Sequence, residues 1–332
     1  ITDFPFQLNV VMVDEKVVLD EIFINTGENP ANKIIRKAID NKSNNTDKFK
    51  EYTSSFYSRG LFKVKNAPEK ILGQRLGDLG GGLDSTRTGI IYLSETVSEI
   101  TFQKKPAEFK EKIIASKVSG SDNGISFNRA EEANFDFYSN AVLIAENNLV
   151  SPISDNAFRY YRYELEGSFY EKNGRLINKI KVNPKRSTDR VFSGFIYIVE
   201  EDWAIYGVDL KASGEQVGIP IIEVLKFKQD YNYSESNKAW IKISQIIDFK
   251  FGLFGFNVDG RFSGAYSDYN FSPKFKKETF SNEVLSFAKG ATEKDSLFWE
   301  NLRPVPLTSE EEKDYLLKDS IKETRKSNKY LD

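Results

Sequence analysis

The chain has neither cysteine nor histidine in 332 residues. Without thiols no disulfide can form. Without either residue no Cys/His zinc, haem or iron–sulfur centre can be assembled. The Ser-His-Asp and Cys-His nucleophile pairs are excluded as well, and so is histidine general-base catalysis. Carboxylate, lysine, tyrosine, serine and hard-metal chemistry remain open. A charge excess is also missing. The 47 Lys+Arg and 49 Asp+Glu leave a net charge of −2, with a pI near 5.7. Such a balance gives no global electrostatic footprint for nucleic acid. No long apolar run is present, so the sequence contains no transmembrane helix. No signal peptide is visible, and the chain opens on Ile1 inside what reads as a strand. We read it as a processed or truncated piece of a longer protein, in which a missing leader is uninformative. The lack of cysteine fits the cytosol and an oxidising compartment equally.

What is abundant is aromatic. Phe, Tyr and Trp make up 14% of the chain, including 26 Phe and 16 Tyr, a share that favours pleated surfaces. Residues 4–13 and 17–25 alternate with the strand period. After a break at Gly27 to Pro30, residues 31–41 place Ile34, Ile35, Ala38 and Ile39 on one helical face, with Pro30 near the start. Residues 49–65 read as one long strand or a hairpin, and 90–103 and 110–120 as further strands. Residues 121–158 are mixed and polar, with a helical turn expected around 154–161.

A meander follows, with strands expected at 163–170, 176–182, 191–199, 204–210, 221–231, 240–249 and 256–266. Turn residues separate them, as in an antiparallel sheet rather than βαβ units. In the last strand Phe256, Val258, Gly260, Phe262, Gly264 and Tyr266 share one face. Glycines opposite aromatics there point to strong curvature or close packing. Beyond Pro304 and Pro306, Thr308 and Glu311 form a capping-box pattern before a charged helix over 309–326, read as a connector.

Candidate chemistry is thin. The stretch 76–89, LGDLGGGLDSTRTG, is rich in glycine but lacks the Gly-Lys-Ser/Thr of a phosphate loop, so a tight or flexible turn is expected. Ser121-Asp122-Asn123-Gly124 has calcium-loop composition without the EF-hand spacing. Carboxylates are numerous, among them Glu95, Glu131, Glu164 and the run Glu200-Glu201-Asp202, yet no pair can be placed in one cleft from sequence. No cofactor and no catalytic residue is expected. Aromatic clusters carry two readings: a filled core, or an apolar groove lined by residues such as Phe195, Tyr197, Phe227 and Trp240.

Long strings between residues 90 and 269 carry a family resemblance. IIYLSETVSEI (90–100), SPISDNAFRYYRYELEGSFYEKNGRLINKIKVNPKR (151–186), VFSGFIYIVEEDWAIYGVDL (191–210) and GLFGFNVDGRFSGAYSDY (252–269) resemble a Bacteroidota domain-of-unknown-function family. Its members are called carboxypeptidase-like regulatory domain-containing proteins. The resemblance implies an outer-membrane protein with a sandwich, a periplasmic region and a C-terminal transmembrane β-barrel. It places the closing strands of the regulatory-like β-sandwich in residues 1–27 and an antiparallel half-barrel-like periplasmic domain in 28–300. A proline-containing linker and charged helix, 301–332, would then lead to the barrel.

The implied fold class is α+β, mostly β: a curved antiparallel meander with a covering N-terminal helix, similar to the half-barrel of lipoprotein carriers. The implied function is a non-enzymatic periplasmic domain at the outer membrane, in envelope assembly, transport or partner docking. The implied partners are its own barrel and an outer-membrane complex or lipid, with no nucleic acid. A lipid- or lipoprotein-binding carrier and a carboxylate-dependent hydrolase are the alternatives. Asp-Ser/Thr-apolar triplets are similar to the O-glycosylation signal of exported Bacteroidota proteins. They make Ser85, Ser296 and Ser320 candidate modification sites.

Overall fold

A computed structural model describes residues 29–329, apart from 48, 72–73, 76, 78, 121–123, 125, 127, 254–255, 277–278 and 281–283. The strands expected at 4–13 and 17–25, and with them the sandwich, lie outside these residues. The elements in the first half are α1 (Pro30–Asp40), α2 (Lys42–Thr46), β1 (Glu51–Lys65), β2 (Lys70–Ile71), β3 (Gln74–Arg75), β4 (Gly89–Gln103), β5 (Glu108–Val118), β6 (Ala141–Ile144), β7 (Asn147–Val150) and α3 (Ala157–Tyr160). Then come β8 (Tyr161–Tyr170), β9 (Leu176–Pro184), β10 (Ser193–Val199), β11 (Ile205–Ser213), α4 (Gly214–Val217), β12 (Ile222–Ser234), β13 (Ala239–Leu253), β14 (Phe256–Asn270), β15 (Leu285–Phe287), α5 (Ser296–Leu302) and α6 (Ser309–Lys329). The fold is mostly β and rests on a large, unclosed antiparallel sheet, the half-barrel class expected from the sequence.

The chain divides into two compact units. Among the described residues, one comprises 51–133 and 248–329, the other 29–50 and 134–247. In the first unit the strand order is β15-β5-β4-β1-β14. β1 is antiparallel to β4 and to β14, so that Gly60 faces Ser94 on one side and Phe262 on the other. The edge strand β15 runs parallel to β5, a pairing that the alternation of β5 does not reveal.

Because side chains alternate along a strand, this sheet has two distinct faces. On one, Tyr57, Val97 and Ala115 pack around Trp299 of α5, and Ile90 and Leu93 pack with Tyr315 of α6. On the other, Phe56, Ile100, Ala130 and Tyr266 form a core. In β14 a Cβ on Gly260 would lie 2.0 Å from the Phe249 ring, and one on Gly264 would lie 2.8 Å from Phe56. Ring carbons occupy the space that side chains would take, which is the close packing expected from the sequence.

The glycine-rich stretch is a tight turn. Gly77, Gly80 and Gly81 adopt positive φ. A Cβ on Gly89 would stand 1.7 Å from the Gly82 carbonyl oxygen.

In the second unit β8 to β12 form an antiparallel meander, with order β12-β11-β10-β9-β8 and the start of β13 beside β12. The strand bounds agree with those read from the sequence to within a few residues, β8 and β12 running longer, while β10 starts at Ser193 rather than at 191 and β11 at Ile205 rather than at 204. Helix α1 forms because Asn29 caps it, accepting from the Ala31 N–H at 3.0 Å, and Pro30 opens it. It buries Ala31, Ile34, Ile35 and Ala38 and packs against β8, where the Asn29 amide donates to the Tyr163 carbonyl at 2.8 Å. Each of the two isoleucines contributes roughly 1.5–3 kcal/mol on full burial. Phe137, Phe192 and Phe227 meet edge-to-face with centroids 5.3 to 6.2 Å apart. The β6–β7 hairpin, with Val142, Ile144 and Leu149 buried, lies where the sequence reads as mixed and polar. Four-residue strands are too short to display a period.

Helix α6 starts at the expected capping box. The Thr308 N–H donates to Glu311 Oε2 at 2.7 Å, and the Glu311 N–H donates to Thr308 Oγ1 at 3.3 Å. It is not a free connector, however. It buries Glu311, Asp314 and Lys318 within the first unit. A charged helix reads as solvated because its burial depends on partners far away in the chain.

Candidate functional site

The most concentrated chemistry in the first unit is a buried polar network under α5 and α6. Glu95, on β4, is completely buried. Arg303 donates to both of its carboxylate oxygens, Nε to Oε1 and Nη2 to Oε2, each at 2.7 Å. The Tyr57 hydroxyl donates to Glu95 Oε1 at 2.6 Å and accepts from Arg59 Nε at 3.0 Å. Arg59 continues outward. Its Nη1 donates to the Pro306 carbonyl and to Glu311, both at 3.2 Å, and its Nη2 donates to the Val305 carbonyl at 2.5 Å. Two turns further along α6, Lys318 donates to the Ile90 carbonyl at 2.9 Å and pairs with Asp314 at 2.7 Å.

These contacts set the ionisation of the group. Burial by itself would raise the Glu95 carboxyl, but the Arg303 fork and the Tyr57 hydroxyl outweigh it and hold the carboxyl below its ordinary range. Tyr57 is pushed far up, first by burial and then by the Glu95 charge, so its hydroxyl stays a donor. The network is a clamp: it fixes the segment from Arg303 to Lys318 on one face of the sheet.

The opposite face of the same sheet carries another buried acid, Glu111. Glu111 accepts from Ser98 Oγ at 2.8 Å and from the Ala130 N–H at 2.9 Å, and burial raises its carboxyl. Alternation along β4 puts Glu95 and Ser98 on opposite sides, so Glu95 and Glu111 do not share a cleft. A cleft of about 240 Å³ opens on the Glu111 side, lined in part by Thr96, Ser116, Ser126, Asn128 and Phe287. Its hydroxyls are engaged locally: Thr96 and Ser126 are 2.5 Å apart, and Ser116 donates to the Gly124 carbonyl and accepts from the Ser126 N–H. Among the described residues no group of three acidic side chains could hold a metal ion.

The four aromatic residues expected to line a groove are placed differently from one another. Phe227 is buried in the core beside Phe137 and Phe192. In the ladder Phe195 is opposite Asp209, and Phe227 is opposite Leu210, so Phe195 and Phe227 lie on opposite faces of the sheet. Phe195 and Tyr197 are half-buried on the outer face, with Lys179 Nζ 4.9 Å from the Phe195 ring and 6.0 Å from the Tyr197 ring. Trp240 is buried where β12 meets β13, against Tyr206 and Tyr233, and its indole donates to Asp202 at 2.8 Å. Ser85, Ser296 and Ser320 are all exposed.

Sequence reasoning noted Glu95 among many carboxylates but missed Tyr57, Arg59 and Arg303. The available signal was that Arg59 and Glu95 each alternate with large apolar residues, Tyr57 and Leu61 in β1 and Leu93 and Val97 in β4.

The family model described as "Family of unknown function (DUF5686)" matches residues 34–269. The chain belongs to this family. A search of curated proteins finds no match. Among solved structures, the chain is similar to a LolA-superfamily protein from Nitrosomonas europaea, with 10% identity, 76% of this chain and 97% of that chain covered, and a TM-score of 0.26. It is similar to a DUF1329-family protein from Desulfovibrio piger at 9% identity, covering 77% of this chain and 98% of that one, with a TM-score of 0.27. A third similarity is to the MucA/MucB complex structure of Pseudomonas aeruginosa, at 9% identity, 77% and 98% coverage and a TM-score of 0.21. Likenesses of this size assign no function. The DUF5686 match includes Tyr57, Arg59 and Glu95 but stops before Arg303 and α6. The clamp therefore joins the DUF5686 region to the segment that follows it.

Proposed function

We propose that this chain is a non-catalytic periplasmic domain of an outer-membrane β-barrel protein, serving envelope assembly, transport or partner docking. The observation that carries this reading is the clamp on the C-terminal segment, Arg303 on Glu95 and Arg59 on Val305, Pro306 and Glu311. Such a clamp makes the tail of the chain a rigid extension of the first unit, as suits a domain that must be held in a fixed pose on a following barrel. The resemblance of residues 90–269 to periplasmic regions of such proteins supports the compartment, and membership of DUF5686 is compatible with it. The chemistry supports binding over catalysis, because Glu95 is committed to Arg303 and faces away from Glu111.

A single cysteine in this cysteine-free chain provides the test, with any cysteine elsewhere in the full-length protein replaced by serine. Ser320→Cys, on the exposed side of α6, is introduced into the full-length gene and labelled in cells with a membrane-impermeant maleimide. Labelling only after the outer membrane is permeabilised is expected. Labelling that requires lysis of the inner membrane would remove the proposal. The half-buried Phe195 and Tyr197 favour, as a second reading, a carrier of lipid or lipoprotein. A lipid adduct in native mass spectra of protein purified from the envelope would support that reading, and a clean apo mass would count against it.

A further inference from the structure

In β11 and β12, Lys211 stands directly opposite Lys226. Both are exposed, and so is Lys228, two residues along on the same face. Like charges directly opposite in an antiparallel pair are destabilising. Among the described residues no carboxylate lies within ion-pair distance of any of the three. The register extends this row across the meander: Lys226 and Lys211 lead to Ser193 on β10. The next row runs from Lys228 through Asp209 and Phe195 to Lys181, which is held by Glu164 and Glu166. The third places Lys179 beside Tyr197, with Asp230 accepting from Ser244 at the far end. The face thus combines half-buried aromatic rings with three exposed lysines that make no ion pair, of which Lys228 has Asp209 opposite it in the ladder while Lys211 and Lys226 face only each other, in a chain whose net charge is −2. Natural sequences depart from local stabilising rules mainly where function requires it.

We infer that this outer face of β9–β12 docks on an anionic phospholipid surface, with Lys211, Lys226 and Lys228 taking the phosphates. The geometry favours a surface over a single soluble ion. The cations sit on adjacent strands about 4.8 Å apart on a pleated face that offers no cradle. Phe195 and Tyr197 lie beside lysine stems, the pairing of aromatic and basic groups that suits a membrane interface. The inference is independent of the compartment, since it rests on the charge register and on the rings beside it.

The test is co-sedimentation of the whole chain with phosphatidylcholine vesicles containing one quarter phosphatidylglycerol. Binding that weakens as salt rises is expected, with little binding to pure phosphatidylcholine. A K211Q/K226Q/K228Q variant should lose at least tenfold in affinity, since each lysine near an anionic surface is worth roughly fivefold. The corresponding triple Lys→Arg variant should retain it. Lys226→Glu supplies a signature that a merely structural role would not give: it places opposite charges across the pair, so stability should rise while vesicle binding falls. Equal binding to both vesicle types, or unchanged binding by the folded glutamine variant, would overturn the inference. So would a saturable response to inorganic phosphate alone without vesicle binding, which would mark a free-anion site.

Discussion

Arg303 lays its guanidinium across both oxygens of Glu95, at 2.7 Å each, although 208 residues separate the two in the chain. Glu95 has no exposure at all, so this fork is its main counter-charge, with Tyr57 and Arg59 behind it. Removing one partner of a buried pair leaves an uncompensated charge. Arg303→Ala should therefore destabilise the first unit by about 3–5 kcal/mol. Arg303→Lys should recover only part of that, because an ammonium cannot make the bidentate bond. The apolar double replacement Glu95→Leu with Arg303→Met should be milder than Arg303→Ala. Urea unfolding of the variants checks the order, and a double replacement worse than the single one would contradict it.

Glu95 and Glu111 should respond to pH with opposite signs. Glu95 is depressed when folded, so its stabilisation is present above the unfolded carboxyl value of about 4.3 and is lost as pH falls through the lower folded value. Glu111 is raised when folded, so its contribution is complete below about 4.3 and declines as pH rises through the folded value. Unfolding midpoints measured across the acidic range should show Glu95→Gln flattening the loss on acidification. Glu111→Gln should flatten the loss on the way to neutrality.

Gly260 has no room for a side chain, because Phe249 occupies the place. Gly260→Ala should cost about 1–3 kcal/mol, the usual range for overpacking. Adding Phe249→Leu should recover part of the loss by clearing the ring. Thermal unfolding of the single and double variants tests the coupling, and simple additivity would argue against the contact.

Lys242 of β13 is half-buried, donates to Asn134 Oδ1 at 3.1 Å, and is pulled down by burial to about 8, with Asp136 opposing the shift. Its amine should react with an acylating reagent at a pH where ordinary lysines, near 10.4, are still protonated. Peptide mapping of brief labelling across pH 7 to 10 gives the titration curve. A Lys242 midpoint matching that of exposed lysines would refute the expectation.

The periodicity of the meander was legible because alternation is a local property: each strand from Tyr161 to Asn270 carries it within ten or so residues. The same holds for α1, whose cap and apolar stripe lie within one dozen residues, and for the Thr308–Glu311 box. The candidate groove was not legible. Phe195 and Phe227 look alike in sequence, and only the register, Phe195 against Asp209 and Phe227 against Leu210, sends one outward and the other into the core.

By itself, the sequence excluded thiol and imidazole chemistry and settled a mostly β, antiparallel chain with a capped helix at either end of the described region. Those properties depend on residue type and near-neighbour spacing. Tertiary structure alone decided which charges are buried. Nothing near Glu95 announces Arg303, and nothing near Lys211 announces Lys226. The first pair is joined by burial under α5 and α6, and the second by strand register. A charge has no intrinsic meaning until the fold sets its dielectric and its partner, so the same lysines and glutamates read as solvent-facing in one dimension and as clamp or surface in three.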